Sequence, residues 1–307
     1  MYLIVSATKN YKAAISFTDD VINANTVGHE IHVTRPIVMI LLSMGLITSS
    51  DTIVTRNDER FFLYSNIFNN IIGYDDLPSD VDASQIIDII QANMWFHGGA
   101  HMMPQTSLEK RFPIMTQIRL NQIPYRTETY NNLITNIDFK HNIVDKEYIL
   151  IHHRLVNYSN ESNYTKDIIS CIKSIDPNIQ IIIFSIKKLD IFPPEIIIVN
   201  DLQSYASLMY DKHCKIFISE FSGGGQLSQY CHRNKIFYFG NAYIPHLHTN
   251  IKIDDMINQA NLQTSFYNMF DWKVFTDTSI YVFSNINSLL TNMNKYYHDT
   301  DKKYLRI

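Results

Sequence analysis

Through the second half of the chain, short apolar runs alternate with segments whose apolar positions fall three and four residues apart. Tyr148 to Ile151 is continuously apolar, the mark of a strand buried on both faces. Ile168, Ile169, Ile172 and Ile175 share one helical face, and Asp176-Pro177 ends that run. Gln180 to Phe184 and Ile196 to Val199 read as the next strands, separated by Phe192-Pro193-Pro194, and Leu202, Tyr205, Ala206 and Met209 form another helical stripe. Ile216 to Ile218 as strand, Gln226 to His232 as helix and Ile236 to Phe239 as strand complete the series. Repeated β, α, β units predict a parallel sheet with helices on both faces.

The first half alternates less regularly. Tyr2 to Ser6, Ile31 to Thr34 and Asp51 to Thr55 read as strands, Arg35-Pro36 opens a helix over Ile37 to Leu46, and Asn66 to Ile72 reads as a helix ended by Gly73. Arg119, Arg126 and Glu128 lie in a mixed polar connection, with the boundary between about Thr129 and Asn142. The predicted class is α/β: two Rossmann-like βαβ domains facing a cleft. Residues 1–135 form the first, 142–284 the second, and an amphipathic helix within 285–307 returns to brace the first, its stripe made by Ile286, Leu289, Leu290, Met293, Tyr296 and Tyr297.

At 307 residues the chain has length for two domains, and with 46% apolar and 18% charged residues it builds packed cores rather than a disordered tail. A formal net charge of -4 argues against general binding to nucleic acid or to an anionic membrane surface. Cys171, Cys214 and Cys231 have no metal-binding spacing and read as buried thiols. The first residues lack the pattern of a signal peptide, and the longest apolar run, Ile37 to Ile47, is too short to span a bilayer, so a cytoplasmic setting is expected. The glycosylation-like triplets at Asn157, Asn160 and Asn163 then read as one polar loop.

Parallel sheets bind ligands beyond the carboxyl ends of their strands, so those ends carry the candidate chemistry. After the Ile216 strand come Ser219, Glu220, Phe221 and Ser222, then Gly223, Gly224 and Gly225, then Gln226. Adjacent glycines let backbone approach a ligand closely, and free N–H groups at a helix start favour an anion. His152-His153-Arg154 follows the first strand of this half, and Arg154 is a charged fork able to hold a diphosphate at two points. Asn200 and Asp201 close the third strand and are placed to meet ribose or base. No GxGxxG with a downstream acid follows any strand, which sets a dehydrogenase aside. Asp80-Val81-Asp82 has the spacing of a metal-binding DxD, yet Asp82 or Ser84 reads better as a helix cap. His97, in Trp95-Phe96-His97-Gly98-Gly99-Ala100-His101, is a first candidate for a general base, and Asp75 a second.

With these residues in view, the second half resembles the GT-B glycosyltransferases, and among them the fucosyltransferases that act with inversion from GDP-fucose, compact relatives of which occur in large DNA viruses. That family carries His-x-Arg-Arg-x-Asp after the first strand of its nucleotide-sugar domain. Here the run is His152-His153-Arg154-Leu155-Val156-Asn157, so the histidine and first arginine match while Leu155 and Asn157 depart. The resemblance implies a metal-independent transfer from a GDP- or UDP-linked sugar, which is substrate and not cofactor, to a glycan or glycoprotein acceptor entering from the first half. A nucleotide-sugar epimerase and a non-catalytic carbohydrate-binding protein are the alternatives; the departures at Leu155 and Asn157 bear on the second.

Overall fold

The computed structural model describes residues 1–7, 30–96, 105–119, 137–140, 144–153, 162–185, 192–220, 225–228, 234–239, 279–300 and 304–306. Those up to Asp138 form one compact unit and those from Phe139 another. Each is built on a parallel sheet flanked by helices, as the alternation predicts.

The first unit holds β1 (Tyr2–Ile4), β2 (Thr52–Thr55), β3 (Asn70–Gly73) and β4 (Ile86–Asp88), in the order β3-β2-β1-β4, with every pairing parallel. Central β1 sets Leu3 between Ile53 and Ile87, and all three are buried. Helix α1 (Arg35–Ser43) keeps Pro36 in its first turn, where a missing N–H breaks no helical bond. The short helices α2 (Ser107–Arg111) and α3 (Ile114–Arg119) follow, and α2 begins with a reciprocal capping box between Thr106 and Glu109.

Two readings in this half need correction. Residues Glu30–Thr34 are a wide helical turn leading into α1, not a strand, and the Thr34 hydroxyl donates to the Glu30 carbonyl inside it. Asn70–Gly73 is a strand, not the end of a helix. Ile71 and Ile72 are β-branched residues laid beside Ile53 and Val54, and sheet pairing outweighs the weak helical spacing upstream. Gly73 is extended (φ -69°, ψ 152°) and caps no helix.

The second unit holds β5 (Tyr148–His152), β6 (Gln180–Phe184), β7 (Ile197–Val199), β8 (Cys214–Glu220), β9 (Lys235–Phe239), β10 (Ser279–Phe283) and β11 (Tyr304–Arg306). Their order is β11-β10-β9-β8-β5-β6-β7, again parallel throughout. Helices α4 (Ser162–Ile175), α5 (Leu202–Tyr210) and α6 (Ile286–Tyr297) flank it. Ile149, Ile151, Ile168, Ile172, Ile216 and Ile218 belong to one core, in which each fully buried aliphatic side chain contributes about 1.5–3 kcal/mol.

The series extends past Phe239: β10, a Ser-Ile-Tyr-Val-Phe run that is buried throughout, and β11 add two strands to the sheet. The helix expected to brace the first half belongs to this second unit. Its Leu289, Met293, Tyr296 and Tyr297 are buried in the same core as β8, β9 and β10, so its apolar stripe is already satisfied there. Of the helix expected over 226–232, residues Gly225–Leu227 form a single tight turn, and 229–232 lie outside the described residues.

Candidate functional site

In both sheets the chain builds outward from its first strand on one side and then crosses to the other. The direction reverses between β1 and β4 in the first unit and between β5 and β8 in the second. At such a switch point neighbouring connections leave in opposite directions and open a crevice beyond the carboxyl ends. The residues ending those four strands are therefore the ones placed to meet a ligand.

In the second unit His152 ends β5 and Ser219 stands opposite it on β8, with Tyr238 of β9 next in the same row. Residues paired across a sheet point to the same face, so their polar atoms meet. His152 Nδ1 lies 3.2 Å from Ser219 Oγ, and the Ser219 hydroxyl donates to the Glu220 carbonyl at 2.6 Å. A hydroxyl has one proton to give, so the Nδ1–H of His152 is the donor in that pair. The His152 ring lies against Phe184 and Tyr205, which stack on each other with centroids 3.8 Å apart. His152 is 5% exposed and Ser219 fully buried, so this pair is the bed of the crevice rather than its lining.

Gly225 begins the turn beyond β8. The Ser228 hydroxyl donates to its carbonyl at 2.6 Å, and the Tyr238 hydroxyl lies 3.3 Å from the same oxygen and 2.6 Å from Ser228 Oγ. A Cβ on Gly225 would collide with Ser219 Oγ, so glycine is required here by close approach.

His153, one residue on, faces the other side of the sheet. Its Nδ1 lies 2.8 Å from Thr165 Oγ1, while Tyr164 and Phe192 flank the ring. Nε2 is buried without a hydrogen-bond partner, and burial pushes the imidazole below its ordinary value, which keeps it neutral. Asn200 Nδ2 donates to the Ser185 carbonyl, tying the ends of β6 and β7. Asp201 caps α5 by accepting from the Ser204 N–H at 2.7 Å and pairs with Lys140 at 3.2 Å. Burial pushes its carboxyl up, but the Ser204 and Lys140 bonds outweigh this and hold it low. Glu220, half-buried, ends β8. Arg154, Ser222, Gly223 and Gly224 lie outside the described residues, as does the side chain of Gln226.

In the first unit Asp88 ends β4 beside the switch point. Its Oδ2 accepts from Gln91 Nε2 at 3.0 Å, and Gln91 Oε1 accepts from both the N–H (3.1 Å) and the hydroxyl (3.0 Å) of Ser107. Two Ser107 donors fix which end of the amide is oxygen, so the Gln91 NH₂ is turned to the carboxylate. Burial first, then the charges of Asp88 and Asp75, raise the Tyr74 phenol. Asp75 is exposed in the turn Tyr74–Asp76 after β3, and His97 lies outside the described residues. Asp82 caps a short turn by accepting from the Ser84 N–H at 2.7 Å, as the cap reading expects.

Deeper at the same edge is a charged network. Arg60 Nη1 donates to Glu30 at 2.6 Å and to Ser6 Oγ at 2.7 Å, and the Thr55 hydroxyl donates to Glu30 at 2.7 Å, all of them buried. No sequence signal joined Glu30 to Arg60, which are distant in the chain. Asp88 had one: it follows Ile86-Ile87, and reading strand ends in the first half as in the second finds it.

No family model and no curated protein matches the sequence. Among solved structures, E. coli heptosyltransferase WaaC with ADP-2-deoxy-2-fluoro heptose is similar at 10% identity and a TM-score of 0.42, over 77% of this chain and 88% of that one. The same enzyme with ADP is similar at 10% identity and a TM-score of 0.42, over 85% and 97%. Among the described residues, no helix is long and apolar enough to cross a membrane.

Proposed function

We propose that the chain is a GT-B-type glycosyltransferase that moves a sugar from a nucleoside-diphosphate sugar, GDP- or UDP-linked, to a glycan or protein acceptor. The observation that carries this reading is the β5/β8 switch point, where His152 and Ser219 meet just ahead of Arg154 and of the glycine run. Glycosyl transfer passes through an oxocarbenium-like state while negative charge grows on the departing diphosphate. In this reading Arg154 and the backbone N–H groups of the glycine run are the groups that receive that charge. Asn200 and Asp201, which follow β7, are the residues this reading assigns to the ribose or base. The transfer inverts the anomeric centre and uses no metal, the diphosphate charge being met by the arginine and the backbone.

The acceptor enters from the first unit, and a basic side chain there, carboxylate or imidazole, takes the proton of its attacking hydroxyl. Asp88, held by Gln91 at the β1/β4 switch point, joins His97 and Asp75 as a base for that step. Sugar identity, fucosyl or hexosyl, follows from contacts that ring the donor and is read by the donor screen below.

The reading is tested by thermal unfolding of the purified chain with GDP, UDP, CDP, ADP and their sugar conjugates, with and without chelator. A ligand that binds only the native state raises the midpoint by mass action. A chelator-insensitive rise with one nucleoside diphosphate, lost in Arg154→Ala while the unliganded midpoint is kept, is the expected result. No rise with any nucleotide moves the reading to a carbohydrate-binding protein without catalysis.

A further inference from the structure

Ser219 looks, in sequence, like a donor ligand, and its geometry assigns it another part. Its hydroxyl proton is committed to the Glu220 carbonyl, its lone pair faces His152 Nδ1–H, and the side chain is fully buried. What lies against it is Gly225. A Cβ built there would overlap Ser219 Oγ, and would stand only 3.1 Å from Ser219 Cβ and 3.2 Å from the Glu220 oxygen. The Gly225 carbonyl in turn is held from the other side by Ser228 and Tyr238, the latter being the residue paired with Ser219 on β9. One row across three strands, His152, Ser219 and Tyr238, therefore forms a bed on which the backbone at Gly225 rests.

We infer that this row is a template that positions Gly225 and the turn starting there for the donor diphosphate, so that Ser219 and His152 act on the donor through Gly225 and not by touching it. The inference rests on the function proposed above. Its physical basis is that an anion grip made of backbone N–H groups has no side chain to adjust, so its aim is fixed by what its backbone sits on. His152 bonds Ser219 on one side of the bed, and Tyr238 bonds Ser228 and the Gly225 carbonyl on the other, which gives the bed one arrangement.

The test is a double-mutant cycle of Gly225→Ala and Ser219→Gly, read by thermal unfolding and by calorimetric binding of GDP, UDP and ADP. Gly225→Ala is expected to weaken binding of the preferred nucleotide by roughly tenfold or more, since small misplacements of preorganised groups are amplified. Removing the Ser219 side chain opens the space the new methyl needs, so the double variant is expected to bind more tightly than Gly225→Ala alone, and its midpoint to fall by less than the sum of the two single changes. If Gly225→Ala yields no folded protein, the double variant decides: folded and nucleotide-binding supports the template, unfolded overturns it. Strictly additive losses overturn it. So does a rescue of the midpoint with nucleotide affinity unchanged in every variant, which would make the contact structural only. Should the wild-type chain bind no nucleoside diphosphate, the proposed function fails, and the inference about the donor fails with it, while non-additive midpoints would still establish the Ser219–Gly225 contact.

Discussion

The two sheets are laid out alike around their first strands, β3-β2-β1-β4 against β7-β6-β5-β8, yet their switch points are furnished in opposite ways. Under the first lies a buried ion pair, Glu30 at 1% and Arg60 at 3% exposure, with Ser6 bonded to the arginine and Thr55 to the carboxylate. Burial, and after it the Glu30 charge, push the Tyr64 phenol far up, so it stays neutral beside the pair. Under the second lies a row of histidine, serine and tyrosine held by hydrogen bonds, with no ion pair among the three. On the function proposed above, the grip on the donor's charge at this bed is assigned to groups beyond the strand ends, Arg154 and backbone N–H. A charged bed fixes its members strongly but tolerates no loss, because either partner left alone is a bare charge out of water.

The sharpest way to break that contrast is to remove one ion from the first bed. Arg60→Met leaves Glu30 buried without its counter-charge, and unfolding in denaturant is expected to reveal a loss of about 3–5 kcal/mol. Arg60→Met together with Glu30→Gln removes both charges and should recover a large part of it. In the second bed, Tyr238→Phe removes a hydroxyl from a hydrogen-bonded set and is expected to lower stability by only about 1–2 kcal/mol. Equal losses at the two sites would mean that the ion pair is better solvated than its burial indicates.

A smaller and purely functional difference is expected at Asp88. Asp88→Asn keeps shape and one acceptor but removes the base proposed above, so on that proposal kcat should fall by roughly a hundredfold while affinity for the nucleotide, assigned there to the other unit, stays as it was. Gln91→Leu, which touches no reactant, should give a milder loss by freeing the carboxylate. If Asp88→Asn weakens the nucleotide as much as it slows turnover, the division of labour between the sheets is wrong.

How much of this was legible beforehand differs between the same two regions. In the second sheet β5, β6 and β9 are nearly continuous apolar runs, and such runs announce themselves because both faces are buried. Two of its strands were still missed: β10 sits far downstream of β9, and β11 is three residues long. In the first sheet β3 and β4 are short and half-exposed, with partners supplied by distant segments, so Ile71-Ile72 read as part of a helix until β2 was beside them. The site divides in the same way. Ser219 and His152 were found by reading strand ends, but that they touch, and that Gly225 rests on Ser219, depends on cross-strand register, which no local pattern carries. The pairing of Glu30 with Arg60 is likewise a product of the fold alone. Asp201, expected at a ribose, is engaged as the cap of α5 and with Lys140, a role that its place one residue before a helical stripe would equally have suggested.

The finest distinction within the second unit is between the two adjacent histidines. His152 has Ser219 as partner at Nδ1, whereas His153 buries Nε2 with no hydrogen-bond partner between Tyr164 and Phe192. Among the described residues, Tyr164 is the titratable group in ring contact with it, and Thr165 the hydroxyl at Nδ1. Protonating His153 in place would bury a charge, so its folded value lies below the 6.5 of a free histidine. In acid the unfolded chain then binds more protons than the native one, and stability falls as pH drops through 6.5 toward the lowered folded value, being complete above that window. The slope is at most about 1.4 kcal/mol per pH unit from this one group. Unfolding free energies measured from pH 7.5 to 5 in wild type and in His153→Phe should differ in slope, with the variant flatter in acid even if it is less stable at every pH. Parallel curves would mean that His153 is free to take its proton in the native state, and that its burial does not separate it from His152 as described.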